Sequence, residues 1–512
     1  MRLIDSKLTS NWDGLDAATI RALQGRKLRR FLTRQVVPFS KRYGEIFRNE
    51  GIDPDAIRSI EDLPAIPFTS KRSLTSSDSG PAPTRDFVLV PDEDVLKRRP
   101  LTILRASYRG RSGVKADFEK EYRPILMTST TGRSAEPVPF LYSQYDLDNL
   151  FITGRRMMEV CDSRQEFRHL NLFPFAPHLA FWQAHYAGIG YNTFTLSTGG
   201  GKAMGTNGNV RLLGKIDPDA LIGMPTFIYH VLQVAVEKGL DCRNIQRIVL
   251  GGEKVPEGMR RKLRALCAEL GSGAVDIMAT YGFTESKMAW PECPGHGVDG
   301  PTGYHLYPDL GIVEVVDPDS GEVVGEGEPG EIVFTPLDSR GSVVIRYRTG
   351  DLISGGLTYE PCPGCGRTMP RLLGNISRVS NVRRLHIGKI KGTLVNFNDL
   401  EHVLDDLDSV GTWQIELRKR NNDPLECDEI VVHVASDSRD SRKSIERQIE
   451  EEFVSATEIR PNRIEFHDAL TLREMQGVGT ALKEEKIVDH REASSPENSS
   501  EPSSKSKEEA VS

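Results

Sequence analysis

Residues 220–253, "ALIGMPTFIYHVLQVAVEKGLDCRNIQRIVLGGE", constrain the fold of this chain more than any other stretch. "ALIGMP" is a short apolar run, "TFIYHVLQVAVEKG" spaces its apolar residues helically and stops at Gly239, and "IQRIVLGGE" is a second apolar run. A buried strand, a helix and another buried strand predict a βαβ crossover in a parallel or mixed sheet. Strand-like and helical runs alternate in this way from about 115 to 350. Within that span, "GIVEVVDPDSGEVVGEGEPGEIVFTPL" splits β-branched runs with Asp-Pro-Asp-Ser-Gly and Glu-Pro-Gly turns, which predicts antiparallel hairpins instead.

Before this region, residues 15–60 carry apolar positions at helical spacing, interrupted by Pro38 and ended by Gly51. "IEDLPAIPFTSKRSL" reads as irregular chain with two prolines. After it, residues 374–394 are rich in Arg, Lys and Gly and mark a boundary to about a hundred residues of small α/β pattern. The last 21 residues, "EASSPENSSEPSSKSKEEAVS", have almost nothing to bury and are expected to be disordered. A chain of 512 residues exceeds what one core supports, so at least two domains are expected. A net charge of −7 argues against a general nucleic-acid binder. No run approaches the roughly 18 apolar residues of a membrane span, and the start has no apolar signal core. Seven cysteines in a chain this long suggest thiols that are reduced or metal-bound, and a cytoplasmic protein.

Five stretches carry the chemistry. "PILMTSTTGRSAEPVPF" (124–140) runs from a short apolar segment into Thr128, Ser129, Thr130, Thr131 and Gly132. By itself this is either a phosphate-cradling loop or an ordinary polar turn. "GGE" (251–253) closes an apolar strand, and "ATYGFTES" (279–286) sets an aromatic ring beside a glycine, a hydroxyl and a carboxylate. "IRYRTGDL" (345–352) puts an Asp after a Thr-Gly turn, and "LKEEKIVDHR" (482–491) supplies lysines.

In this order the stretches resemble the adenylate-forming superfamily and, within it, the phenylacetate–CoA ligase family. "RYGEIFRNEGIDPDAIRSIEDLPAIPFTSKRSL" resembles that family's helical entry segment. The resemblance implies an α/β fold with two parts. A large N-terminal adenylation domain, 1–373, would hold mixed sheets, helices, a helical entry (1–100) and a β-rich subdomain (290–370). A small mobile α+β lid, 374–491, would precede a disordered tail, 492–512. It implies ATP-dependent activation of a carboxylic acid through an acyl-adenylate, with Mg²⁺, and transfer to CoA. The alternatives are an adenylase loading a carrier protein or an amine, or a non-catalytic nucleotide-binding relative. A homodimer is compatible with either activity.

By the same resemblance, Thr128 to Gly132 would cradle the β- and γ-phosphates. Gly252 and Glu253 would border the adenine, Tyr281 and Gly282 would lie against it, and Asp351 would accept from the ribose hydroxyls with Arg371 assisting. Thr284 would touch the α-phosphate and Glu285 would hold Mg²⁺. Lys483 takes the place of the adenylation lysine, with Lys486 as the other candidate. The hinge falls in 371–392, near Ser377 or Arg378. Two departures are visible: Ser129 replaces a loop glycine, and "GRSAEP" resembles the acyl-protein synthetase and coenzyme F390 synthetase branch.

Two further features concern metal and substrate. "ECPGHG" (292–297) and "PCPGCG" (361–366) supply Cys293, His296, Cys362 and Cys365 at the spacing of a tetrahedral structural zinc site, with His305 as a competing ligand. "NLFPFAPHLAFWQAHYAG" (171–188) concentrates aromatics, among them Phe175, Phe181 and Trp182. They read either as plain core or as the wall of an acyl pocket suited to an aryl or medium acyl acid.

Overall fold

The computed structural model describes residues 11–75, 83–130, 137–295, 297, 300–379, 382–385, 393–422, 428–436, 438, 440–457, 459–478 and 484–491. A hairpin of β1 (Pro124–Ser129) and β2 (Pro139–Ser143) precedes the main sheet. That sheet contains β3 (Arg168–Asn171), β4 (Phe194–Ser197), β5 (Ala220–Gly223), β6 (Arg247–Leu250), β7 (Asp276–Phe283) and β8 (Met288–Pro291) in the order 4-3-5-6-7-8. All its neighbours pair in parallel except β8, which returns antiparallel to β7. The expected crossover is present: β5 leads into the helix Pro225–Glu237, Gly239 (φ +63°) turns the chain, and β6 lies parallel to β5. Leu221, Ile228, Leu232, Ile248 and Leu263 are among the fully buried side chains that join sheet and helices. Parallel strands covered on both faces require this apolar character.

The hairpins expected after 310 form two smaller sheets. One runs β10 (Gly311–Val316), β11 (Gly330–Pro336), β12 (Tyr347–Ile353) and β15 (Ile376–Arg378), all antiparallel. The other joins β9 (Tyr304–His305) to β14 (Arg371–Leu372) and β13 (Leu357–Thr358). Asp317 closes the first turn by accepting the Ser320 N–H at 2.7 Å.

The N-terminal helices dock onto this region through "PFTSK". Thr69 bridges to Tyr347, its N–H donating to Arg346 C=O at 3.0 Å and its C=O accepting from Arg348 N–H at 2.9 Å. Its hydroxyl donates to Ile345 C=O at 2.8 Å and contacts the Tyr43 hydroxyl at 2.9 Å. The stretch expected to be irregular holds a 3₁₀ turn, Ile60–Ala65, because Asp62 accepts from the N–H groups of Arg58 and Ser59.

The described residues fall into two compact units, one drawn from 1–382, 397–407 and 477–484, the other from 383–396, 408–476 and 485–512. The strands β16 (Val382–Leu385) and β17 (Thr393–Asn396) pair with each other. The smaller unit's main sheet is β20 (Arg463–Phe466), β19 (Asp428–Ala435), β18 (Thr412–Lys419) and β21 (Ile487–Asp489), with β18 and β19 antiparallel and both edges parallel. The helix Arg442–Thr457 buries Ile445, Ile449 and Phe453. Among the described residues no helix is long and apolar enough to cross a membrane.

Arg346 anchors the entry segment to the β-rich sheet from within. It is in the left-handed region (φ +47°), its guanidinium bonds both oxygens of Glu314 at 3.0 and 3.2 Å, and it reaches Ile66 C=O at 3.0 Å. Both side chains are under a tenth exposed. Burial raises the Glu314 pKa, and Arg346 opposes that rise. Arg346→Met leaves that carboxylate buried and alone, so denaturant unfolding is expected to show a loss of about 3–5 kcal/mol. The double variant Arg346→Met/Glu314→Leu is expected to lose less, because it buries no unpaired charge.

Candidate active site

Two strand ends and one strand interior converge on a carboxylate cluster. Asp351 lies in β12, buried, and accepts a hydrogen bond from the Tyr281 hydroxyl at 2.9 Å. Opposite it in register on β15 stands Arg378, whose Nε is 2.7 Å from the other Asp351 oxygen. Burial, and then the nearby Asp351 carboxylate, hold the Tyr281 hydroxyl far above its usual pKa, so it acts as a neutral donor. Four residues earlier on β12, Tyr347 donates to Glu285 at 2.6 Å. Glu285 sits in the short 3₁₀ turn Thr284–Ser286 that follows β7. Burial raises its pKa, while the Tyr347 hydroxyl pulls it back toward ionisation. The strand thus supplies one tyrosine and one carboxylate, and the β7 end supplies their complements.

Gly282 has a packing reason: a Cβ there would lie 2.8 Å from the Ala289 Cβ across the β7–β8 pair. The turn after β6 uses Gly252 at φ +83°, a conformation that disfavours other residues. Glu253 then accepts from the Thr226 hydroxyl at 2.7 Å, at the N-terminus of the helix Pro225–Glu237.

The hydroxyl-rich stretch divides. Thr128 is fully buried, its hydroxyl 3.4 Å from that of Tyr142. Ser129 donates its N–H to Pro177 C=O at 2.6 Å and its C=O contacts His178 Nδ1 at 2.8 Å. The Thr130 hydroxyl accepts from Val138 N–H at 3.0 Å, which closes the mouth of the hairpin. Thr131 and Gly132 lie outside the described residues, as does Lys483. Lys486 is described, with its Nζ 4.5 Å above the Trp413 ring.

Sequence reasoning missed a buried cation beside this hairpin. Lys287, in the left-handed region immediately after the 3₁₀ turn, places Nζ 3.4 Å from Asp146, 3.2 Å from the Ser339 hydroxyl and 4.8 Å above the Tyr142 ring. "SQYD" (143–146) was a readable signal for Asp146, a capping box in which its carboxylate accepts from Ser143. Arg378, considered only as a hinge neighbour, is the cation beside Asp351. Arg371, expected there, is placed elsewhere: its guanidinium donates to the carbonyls of Thr302, Glu360 and Pro361.

The aromatic stretch is both core and rim. Phe181 is buried, Trp182 partly so, and Phe175 is 67% exposed, with the three rings edge to face at 5.1–6.0 Å. His178 Nε2 and Trp182 Nε1 are buried with no hydrogen-bond partner among the described residues.

A second constellation lies between β8, β9 and the turn before β14. Cys293, His305, Cys362 and Cys365 bring one ligand atom each to within 4.8 Å of one another. The sulfurs of Cys293 and Cys362 are 3.7 Å apart, and Cys365 Sγ is 3.4 Å from His305 Nε2. Four ligands around a tetrahedral zinc stand about 3.4–3.8 Å from one another, given Zn–S and Zn–N distances near 2.3 and 2.0 Å. His305 Nδ1 faces the Pro291 carbonyl at 3.2 Å, which leaves Nε2 toward the thiols. His305, the competing histidine of the sequence reading, completes the cluster among the described residues, and His296 lies outside them.

A family model for AMP-binding enzymes matches residues 170–336. The phenylacetate–coenzyme A ligase of Thermus thermophilus is 26% identical over 357 residues, 69% of each chain. That of Escherichia coli K12 is 26% identical over 389 residues, 74% of this chain and 75% of that one. The solved structure of 2-hydroxyisobutyryl-CoA ligase in the postadenylation state with R3-HIB-AMP superposes with a TM-score of 0.71 at 17% identity, covering 94% and 92% of the two chains. The fold is shared with that structure.

Tyr347→Phe tests the electrostatics of the cluster. Because the folded-state pKa of Glu285 is raised, its protonation favours the fold, and that contribution is lost as pH rises through the raised value. Removing the hydroxyl that favours the ionised form destabilises the ionised state selectively. The variant is expected to lose about 1–3 kcal/mol near pH 7 and less at about pH 4, read from denaturant midpoints.

Proposed function

We propose that this chain, a member of the adenylate-forming superfamily related to the phenylacetate–CoA ligases, is an acid–thiol ligase. A carboxylate oxygen attacks the α-phosphorus of ATP and expels pyrophosphate. The thiol of CoA then attacks the acyl carbon, and AMP leaves. Residues that only position and neutralise charge suffice for such a reaction.

The observation that carries this reading is the Tyr281–Asp351–Arg378 and Tyr347–Glu285 cluster at the end of β7. In it, a ribose would find an acceptor in Asp351, held in place by Tyr281 and Arg378. Arg378 takes the assisting role first expected of Arg371, whose carbonyl partners tie it to the cysteine-bearing turn. Gly252 and Glu253 would border the base, and Thr284 the α-phosphate. Glu285 suits Mg²⁺: it is an oxygen ligand with one carboxylate oxygen anchored by Tyr347. Bound Mg²⁺ would supply charge neutralisation at the phosphates. The stretch Thr128–Gly132 would cradle the β- and γ-phosphates through backbone and hydroxyls, with Thr128 serving as its buried base.

The exposed Phe175 edge of the aromatic cluster supports an aryl or medium acyl acid as substrate, with Phe181 and Trp182 behind it. Cys293, His305, Cys362 and Cys365 fit a structural zinc in donor type, spacing and histidine orientation. Four protein ligands leave no position for substrate.

Pyrophosphate exchange that depends on an added carboxylic acid tests the whole reading; its absence across a panel of aryl and medium-chain acids would refute it. Asp351→Ala is expected to weaken nucleotide binding by about 10- to 100-fold in calorimetry. Lys483→Ala is expected to slow adenylation by about 10²–10³ while still turning over synthetic acyl-AMP. If Lys486→Ala behaves that way instead, the lysine is three residues further along. Cys362→Ser/Cys365→Ser is expected to abolish thiolate-bound zinc, by elemental analysis, and to lower thermal stability.

A further inference from the structure

A second cluster of ligating side chains lies on one face of the smaller unit's sheet. His433 on β19 is in register with Glu465 on β20, and His467 follows two residues later on the same side. His433 Nδ1 is 3.0 Å from His467 Nε2 and 3.6 Å from a Glu465 oxygen. The three ligand atoms lie within 4.8 Å of one another. On the other side of the ring, His433 Nε2 is 3.1 Å from Glu416 on β18, and His490 approaches that same carboxylate at 3.8 Å.

Hydrogen-bond logic decides what this arrangement favours. The Glu416 carboxylate is an acceptor only, so it selects the tautomer in which His433 carries its proton on Nε2. That leaves a lone pair on Nδ1, pointing at a second imidazole nitrogen and a second carboxylate. Three electron-pair donors then converge on one point. A carboxylate that orients a histidine whose other nitrogen faces further ligands is the arrangement of a metal site with a built outer shell. Two imidazole nitrogens bound to a tetrahedral zinc stand about 3.3 Å apart, close to the separation here.

We propose that His433, His467 and Glu465 form a second metal site, for a divalent ion of the zinc class, with Glu416 as its positioning residue. Two imidazoles and a carboxylate suit zinc, cobalt, nickel or copper better than magnesium or calcium. Three protein ligands leave a coordination position open to water or an external ligand. The Glu465 side chain is 40% exposed and gives the ion a path from solvent, while His433 is buried. The site shares no residue with the cysteine cluster, and it stands whether or not the ligase reading holds.

The test uses the full-length protein, stripped with chelator and titrated with zinc by calorimetry and with cobalt by absorption. Two binding events are expected. One gives thiolate-to-cobalt charge-transfer bands from the cysteine cluster, and the other has ligand-field bands alone. His467→Ala and Glu465→Gln are each expected to weaken the second event by about tenfold or more and to leave the thiolate bands unchanged. Glu416→Gln is expected to weaken it by about 10- to 100-fold with the stoichiometry retained, and Glu416→Asp to recover part of the loss. Binding confined to the thiolate site would overturn the proposal. So would a second event that His467→Ala and Glu465→Gln leave intact, since the ion would then be held elsewhere.

Discussion

The single parallel backbone bridge between Thr69 and Tyr347 is the contact on which the candidate site depends. It sets the height of β12, and β12 carries both Tyr347 and Asp351 toward the end of β7. A slip of one residue would turn both side chains to the opposite face, because side chains alternate along a strand. Three restraints prevent it. The Thr69 hydroxyl and the Tyr43 hydroxyl occupy the backbone of Ile345, and the Arg346–Glu314 pair fixes the next residue in a left-handed conformation. The third is Glu331, which accepts from the Gly350 N–H at 3.0 Å and binds Arg348.

Charge is handled differently at the two levels of this region. Deep in the fold, Arg346–Glu314, Arg156–Asp309 and Arg260–Glu292 are matched pairs with almost no exposure, and each specifies which segment meets which. Nearer the site, carboxylates are held by phenols: Asp351 by Tyr281 and Glu285 by Tyr347. A neutral phenol donates one directional bond without cancelling the negative charge. Each carboxylate oxygen carries two lone pairs, so a single phenol bond anchors the group without using up its acceptor capacity. Arg378, 56% exposed, is screened by water and contributes orientation more than energy.

Much of the fold could be read from residues 220–253, since apolar runs separated by a helical period leave few alternatives. The β-rich hairpins were equally plain from their Asp-Pro-Asp-Ser-Gly and Glu-Pro-Gly turns. Tyr281, Glu285 and Asp351 were visible because each sits in a short local motif. What stayed hidden depends on pairing at a distance. Arg378 meets Asp351 only through the β12–β15 register, and Arg371 is diverted because β14 pairs with β9 instead. His305 enters the cysteine cluster for the same reason, since β9 delivers it to Cys365 across 60 residues. Lys287 was unreadable, because an isolated lysine after a turn normally points to solvent.

The Thr69 contact spans 276 residues, from Thr69 to Ile345. A ribosome adding about 5–20 residues per second needs on the order of 15–55 s to make that distance. Throughout that interval the entry helices have emerged while the strand that completes their core has not. Leu63, Ile66 and Tyr43, fully buried at the end, then lack the partners Val344, Ile345 and Tyr347. A nascent chain of this design is exposed to premature association for much of its synthesis. Its entry helices are among the last elements to reach their native neighbours, and chaperone demand should track the length of that wait.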